Sequence, residues 1–170
     1  EAGMVPIIEP EVLMDGSHSA DICYKKTSEV IKKCYEELIS FKIDLAGTIL
    51  KPNMILPGTN SDQKISSAEI AELTLKCLKE SVPNEVSGIA FLSGGQTEIQ
   101  ATENLNQINL MNKSNFIFTY SYGRALQQSA LKHWSKNIND KTGTQDVFNH
   151  RAKMCTLAAK GEWTNKLEKN

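Results

Sequence analysis

The sequence predicts an α/β protein in which parallel strands alternate with helices. Four short apolar runs each precede a segment with apolar residues at three- and four-residue steps, and no hairpin turn signal joins two runs. The runs carry apolar residues at successive positions, which is typical of strands buried on both faces of a parallel sheet. Four such units fit either an open doubly wound sheet or half of an eight-stranded (β/α)8 TIM barrel.

The predicted elements follow one another along the chain with short connections. Ile31, Cys34, Tyr35 and Leu38 place one apolar face on the first helix. Strands are predicted at 4–8, 45–51, 86–92 and 115–120, and helices at 19–41, 66–82, 97–111, 124–134 and 144–160. Ser66, with a glutamate three residues later, has the spacing of a capping box and predicts that the second helix begins there. The polar end of the chain, residues 166–170, is expected to fray.

Composition excludes several classes of function. A net charge of −1 on 170 residues gives no signature of nucleic-acid binding. No apolar stretch approaches the length of a membrane span, and no signal peptide is visible at the N-terminus. Four widely spaced cysteines and three histidines form no zinc pattern, so no metal is expected. We expect the thiols, above all those of Cys34 and Cys77, to be buried. We also expect a reducing compartment, the cytoplasm.

Polar residues follow each predicted strand, and both architectures gather such positions into one ligand site. They are Glu9 with Glu11, Lys51, Ser93 with Gly94 and Gly95, and Gly123 with Arg124. Burial of a lysine favours the neutral amine, a nucleophile for carbonyl carbon, although an isolated lysine here could equally reach water along its stem. Glu9, with partial burial near that lysine, or Glu11 could transfer protons.

Two of these strand ends predict phosphate binding. Gly94 and Gly95 allow the backbone to approach an anion, and the helix that follows points free N–H groups at it. Arg124 begins the next helix, where a cation is unfavourable unless an anion is present. The alternatives for these positions are an ordinary tight turn and a solvated arginine.

Four segments in order resemble class I fructose-bisphosphate aldolase. They are VPIIEPEVL (5–13), GTILKPNM (47–54), FLSGGQ (91–96) and SYGRALQ (121–127). The resemblance runs from residue 3 to about residue 163 and implies a single (β/α)8-barrel domain over 1–170, corresponding to the fifth to eighth units and a C-terminal helix.

The resemblance also implies the chemistry. The family is a glycolytic carbon–carbon lyase that cleaves fructose 1,6-bisphosphate to dihydroxyacetone phosphate and glyceraldehyde 3-phosphate without a metal or cofactor. Lys51 matches its Schiff-base lysine, Glu9 its proton-shuttling glutamate and Glu11 the neighbouring motif position. Ser93 and Gly94, with Gly123 and Arg124, match positions that hold a substrate phosphate, and Gly95 completes that turn.

The resemblance has limits as well. The residues that the family's N-terminal half supplies, an aspartate and two lysines, have no counterpart here, nor does the terminal tyrosine. The family implies a homo-oligomer, usually a tetramer. A non-catalytic half barrel that binds sugar phosphate or a partner chain, and a transaldolase-like imine enzyme, are the alternatives.

Overall fold

A computed structural model describes residues 3–86 and 88–169 of the chain. Four strands alternate with four helices, and a fifth helix follows. The strands are β1 (Ile7–Ile8), β2 (Ile49–Leu50), β3 (Gly88–Phe91) and β4 (Ile117–Tyr120). The helices are α1 (Ala20–Ser40), α2 (Ser67–Ser81), α3 (Glu98–Met111), α4 (Arg124–Lys136) and α5 (Lys141–Ala159). The predicted alternation is confirmed for the whole series.

The strands form one parallel sheet in chain order, β1-β2-β3-β4. Ile8 aligns with Leu50, Leu50 with Ile89, and Ile89 with Phe118, so these four residues form one row across the sheet. Sequential order across a parallel sheet is the order found in a barrel, whereas a doubly wound sheet reverses direction at a switch point. The topology therefore favours the barrel interpretation over the open sheet.

Only one face of the sheet is covered by helices. Leu50, Ile89 and Phe118 are buried in the main apolar core with residues of the helices. The row one residue earlier in each strand points to the opposite face, because side chains alternate along a strand. That row contains Ile7, Ile49, Gly88 and Ile117. On that face Ile7 is 54% and Ile117 is 69% exposed. The expectation that the strands are buried on both faces is therefore wrong for the two edge strands, since no described segment packs over them.

Two of the predicted boundaries that differ from the structure do so because a polar side chain bonds to the backbone. The strand predicted at 45–51 begins at Ile49, because Leu45–Gly47 form a 3-10 turn in which the Asp44 carboxylate accepts from the Ala46 N–H. The last helix begins at Lys141 because Asp140 caps it. The other strands are shorter than predicted, and Ser87, within the strand predicted at 86–92, lies outside the described residues.

The helix starts agree closely with the sequence. Ser66 and Glu69 bond to each other's backbone N–H groups in the predicted capping box at the start of α2. Thr97 and Gln100 form a second capping box at the start of α3. The helix was predicted to begin at residue 97, but this capping box was not predicted. Ser19 caps α1. These caps satisfy N–H groups that the first helical turn leaves without partners.

The C-terminal segment does not fray over residues 166–169, contrary to expectation; Asn170 lies outside the described residues. Asn165–Lys169 form a 3-10 helix. Glu168 holds this segment in place by accepting hydrogen bonds from both terminal nitrogens of Arg151, at 3.0 and 2.7 Å, and from the Trp163 indole at 2.8 Å. Arg151 is buried on α5, so the segment is joined to the helical layer by a buried ion pair.

All four cysteines are free thiols. Cys77 is buried as expected, and burial raises its pKa to about 12, whereas Cys34 is only half-buried. Within residues 3–86 and 88–169, no group of three or more histidine, cysteine or acidic side chains is arranged to hold a metal. No helix in that same part of the chain is long and apolar enough to cross a membrane.

Candidate active site

Lys51 and Glu9 meet at the carboxyl ends of neighbouring strands. The Lys51 Nζ lies 2.9 Å from the Glu9 Oε1, with the lysine side chain 20% exposed and the glutamate side chain 46% exposed. The predicted proximity is thus found, but Glu9 is more exposed than expected. Both side chains lie one residue beyond the row of Ile8 and Leu50, so alternation directs them to the face that the helices leave open.

Backbone pairing beyond the short strands fixes this position. The Lys51 N–H donates to the Ile8 carbonyl at 2.7 Å, and the Leu92 N–H donates to the Pro52 carbonyl at 3.1 Å. The Ser121 N–H donates to the Phe91 carbonyl at 2.8 Å. These bonds hold the four strand ends beside one another at one edge of the sheet. The polar residues that follow the strands therefore lie along one edge of the sheet, as predicted from the sequence.

Glu11 is not bonded to the Lys51–Glu9 pair. Its side chain is exposed and makes no hydrogen bond or ion pair within the described part of the chain. The next residue is fixed by Asn53, whose Oδ1 accepts from the Val12 N–H at 3.0 Å. Asn53 is fully buried and also donates to the Thr27 hydroxyl at 2.9 Å. Asn53 thus anchors the loop after β1, a role that no spacing in the sequence had indicated.

The loops that follow β1 and β2 are joined by backbone hydrogen bonds. Gly58 and Thr59 donate to the carbonyls of His18 and Met14 at 2.9 and 2.8 Å, and Asn60 donates to Gly16 at 2.9 Å. A Cβ atom on Gly58 would collide with the Gly16 carbonyl, so only glycine permits this approach. These hydrogen bonds and this close approach join the loop after β1 to the loop after β2.

The Ser93–Gln96 segment is a type I′ turn. The Gln96 N–H donates to the Ser93 carbonyl at 3.0 Å, and the two central residues, Gly94 and Gly95, have φ of 49° and 75°. A type I′ turn needs positive φ at both positions, which explains the pair of glycines. Ser93 is buried, Gly94 is half-buried and Gly95 is exposed. The turn ends one residue before the Thr97 cap of α3.

Gly123 and Arg124 begin α4 at the last strand end. Gly123 is the N-cap and has no side-chain hydrogen bond, and the first turn of α4 carries no acidic residue. Arg124 is exposed and stands at the positive end of the helix dipole. The preceding Tyr122 is buried and donates its hydroxyl to the Ala101 carbonyl at 2.9 Å, which ties the loop to α3. A helix start without an acidic residue and an arginine at its first position both favour an anion, so the predicted phosphate site stays a prediction here.

Sequence reasoning did not foresee the side chains that support the Ser93 turn. The Gln96 Nε2 donates to the Ser93 carbonyl at 2.9 Å, and Asn104, buried on α3, donates to the Gln96 Oε1 at 2.7 Å. Gln96 directly follows the glycine pair, so its position in the sequence could have indicated a contact with the turn. Asn104 is eight residues away, and only the structure brings it to the turn.

The chain matches the family model for class-I fructose-bisphosphate aldolase over residues 1–170. It is 43% identical over 164 residues to a probable fructose-bisphosphate aldolase class 1 of Xylella fastidiosa, covering 96% of this chain and 49% of that protein. It is 46% identical over 162 residues to the cytosolic fructose-bisphosphate aldolase 4 of Arabidopsis thaliana, covering 95% of this chain and 41% of that protein.

A solved structure has the same fold. It is fructose-bisphosphate aldolase from Plasmodium falciparum, crystallised with TRAP and a small-molecule inhibitor. The TM-score is 0.91 at 37% identity, and the match covers 95% of this chain and 47% of that one. The chain therefore spans about half the length of the proteins that it matches.

Proposed function

Because this chain belongs to the class I fructose-bisphosphate aldolase family, we propose that it carries the imine-forming and phosphate-binding part of an aldolase active site. The whole site cleaves fructose 1,6-bisphosphate to dihydroxyacetone phosphate and glyceraldehyde 3-phosphate, a step of glycolysis and gluconeogenesis. The observation that carries this proposal is the 2.9 Å contact between Lys51 and Glu9 on the open face at the strand ends.

The contact supports a division of roles between the two side chains. The Lys51 amine attacks the C2 carbonyl of the ketose and gives a carbinolamine. Glu9, at hydrogen-bond distance from the Lys51 Nζ, takes a proton from the lysine ammonium before the attack and passes it to the departing hydroxyl, and water leaves as the protonated imine forms. When the C3–C4 bond breaks, the imine accepts the electron pair, and a base supplied from outside this chain takes the proton of the C4 hydroxyl. Glu11, which is exposed and not bonded to the pair, stays a predicted second proton-transfer group.

The remaining machinery is supplied from outside this chain. The chain covers 41–49% of the two relatives described above, and we propose that it is the C-terminal half of a (β/α)8 barrel. The cytosolic name of the Arabidopsis relative supports the cytoplasm as the place of action. A homo-oligomer built from the completed barrel remains the expectation for assembly.

Borohydride trapping tests the proposal on this chain. We expect that dihydroxyacetone phosphate with borohydride adds one covalent, reduced ligand to the protein, measured by intact mass. We also expect no cleavage of fructose 1,6-bisphosphate by the same preparation, because the groups that assist C–C cleavage are not in this chain. Absence of the adduct would count against imine chemistry, and transfer to an acceptor sugar would favour a transaldolase-like reaction.

Replacement of Arg124 by alanine should weaken binding of the phosphate. A hydrogen bond to a charged group contributes about 1.5–3 kcal/mol, which corresponds to a rise of about 10- to 150-fold in half-saturating dihydroxyacetone phosphate. The yield of adduct at saturation should stay unchanged because Lys51 is intact. Lys132→Ala, an exposed cation on the same helix, is the control and should leave the half-saturating concentration unchanged.

The exposed face of the sheet favours a second candidate, a half barrel that binds a partner chain without catalysis. Ile7 and Ile117 lie on β1 and β4, the two edge strands, and both remain largely exposed in the chain described here. Strand edges without partners beside an exposed apolar surface promote pairing with another chain.

Size-exclusion chromatography of the purified chain addresses this candidate. We expect species larger than a monomer and binding of a dye that reports exposed apolar surface. Replacing Ile7 and Ile117 together by lysine should shift the elution toward the monomer, whereas lysine at Leu131, an exposed position on α4 away from the sheet, should not. A wild-type monomer that binds no dye would contradict the expectation.

A further inference from the structure

The Ser93 carbonyl receives two hydrogen bonds from one residue. The backbone N–H of Gln96 donates to it at 3.0 Å, and the Gln96 side-chain Nε2 donates at 2.9 Å. A carbonyl oxygen has two lone pairs, so both of its acceptor positions are taken. The direction of this carbonyl is therefore fixed by Gln96 from two sides.

Asn104 determines which end of the Gln96 amide points to the turn. Asn104 is 4% exposed on α3, and its Nδ2 donates to the Gln96 Oε1 at 2.7 Å. An amide nitrogen only donates and an amide oxygen only accepts. With its oxygen engaged by Asn104, Gln96 presents its nitrogen to Ser93. Each hydrogen bond from Asn104 through Gln96 to Ser93 thus pairs one donor with one acceptor.

A fixed carbonyl also fixes the N–H of the same peptide. In a trans peptide the C=O and the N–H point in opposite directions, so holding the Ser93 carbonyl toward Gln96 turns the Gly94 N–H away from it. Within the part of the chain that the structure describes, neither Gly94 nor Gly95 donates its N–H to a protein acceptor. The Gly94 N–H is consequently left as a donor for a ligand.

We propose that Gln96 and Asn104 are positioning residues that aim the Gly94 N–H at the phosphate of a ketose phosphate bound to Lys51. The proposal rests on the proposed function and extends it to two residues that do not touch the ligand. Two consecutive glycines impose little barrier to peptide rotation, so the turn by itself does not hold one orientation. The side-chain pair orders the donor before the ligand arrives and removes that entropic cost from binding.

The test compares two ligands that differ only in the phosphate. Adduct formation on Lys51 is titrated with dihydroxyacetone phosphate and with dihydroxyacetone, each trapped with borohydride, in the full chain. Gln96→Leu keeps a side chain of similar size and removes the side-chain hydrogen bonds to the Ser93 carbonyl and from Asn104, while the backbone hydrogen bond from residue 96 to Ser93 remains. We expect its half-saturating dihydroxyacetone phosphate to rise tenfold or more, while the value for dihydroxyacetone stays unchanged.

A second variant, at Asn104, is expected to lose the phosphate preference for a different physical reason. Asn104→Asp keeps the volume but replaces the donor by an acceptor, so the Gln96 amide must turn its nitrogen to residue 104 and its oxygen to the Ser93 carbonyl. The two oxygens then repel each other, and the same loss of phosphate preference is expected. Gln100→Leu is the matched control, because it removes a capping glutamine on the same helix that does not contact Ser93.

Each outcome decides something. Loss of phosphate preference in both Gln96→Leu and Asn104→Asp, with Gln100→Leu unchanged, supports the proposal. Unchanged preference in either folded variant overturns it and leaves the imine chemistry standing. Equal loss in Gln100→Leu overturns it too, because general destabilisation then explains the effect. A wild-type adduct without phosphate preference removes the role of the turn, and absence of any wild-type adduct overturns the proposed function itself.

Discussion

Lys51→Met is expected to abolish borohydride trapping of dihydroxyacetone phosphate altogether. Methionine preserves an unbranched apolar stem of similar length, so the packing below the amine changes little. The amine is the only group at this position that can form the carbon–nitrogen bond, and no neighbouring side chain replaces it. The measurement is the intact mass of the protein after borohydride, compared with wild type at saturating ligand.

The control for this variant is Lys113→Met, which removes an exposed lysine after α3, at the opposite end of the sheet. It should give the wild-type adduct. If Lys51→Met still traps the ligand, a different lysine forms the imine, and the Lys51–Glu9 contact is then an ion pair without a chemical role.

Arg151→Met is expected to lower the free energy of unfolding by about 3 kcal/mol. Breaking a buried ion pair by removing one partner costs about 3–5 kcal/mol, because the other charge stays buried without compensation. The lower figure is expected because Glu168 lies in the last turn and can move its carboxylate toward water. Urea unfolding followed by circular dichroism measures the change.

Lys33→Met is the matched control for that variant. Lys33 bonds to Glu36 and Glu37 on the exposed face of α1, where solvent screens the charges and an ion pair contributes little to stability. A loss in Arg151→Met no greater than the loss in Lys33→Met would show that the Arg151–Glu168 pair does not hold the C-terminal segment.

The same pair predicts how stability depends on pH. Burial raises the pKa of Glu168, but hydrogen bonds from Arg151 and Trp163 outweigh burial, and the pKa lies below its ordinary value of 4.5. The folded state thus binds this proton less readily than the unfolded state does. The contribution is complete above pH 4.5 and is lost as pH falls through the folded pKa, so Arg151→Met should flatten the acid limb of the stability curve.

The strand and helix order could be predicted from the sequence because apolar periodicity is a local property. Ser66 and Glu69 located a helix start for the same reason, since a capping box involves neighbouring residues. The proximity of Glu9 and Lys51 followed from a general property of parallel sheets, which bring their carboxyl ends to one edge. What the family resemblance added was a chemical role for that pair.

Other features depend on contacts between distant segments and could not be predicted. Asn104 reaches Gln96 only when α3 packs beside the turn, and Glu168 reaches Arg151 only when the chain folds back on α5. The exposure of Ile7 and Ile117 was missed because an apolar run does not report whether a second layer covers it. The shorter second strand was missed because the Asp44 turn competes with the sheet for the backbone.

The proposed role of Lys51 as the nucleophile of an aldolase half-site can be tested on the wild-type chain. Proteolysis of the borohydride-treated wild-type chain, followed by mass spectrometry of the peptides, locates the reduced adduct among all its lysines. We expect modification of Lys51 when dihydroxyacetone phosphate is present, and of no other lysine at comparable yield. Modification spread over exposed lysines such as Lys33 and Lys113, with Lys51 unmodified, would contradict it.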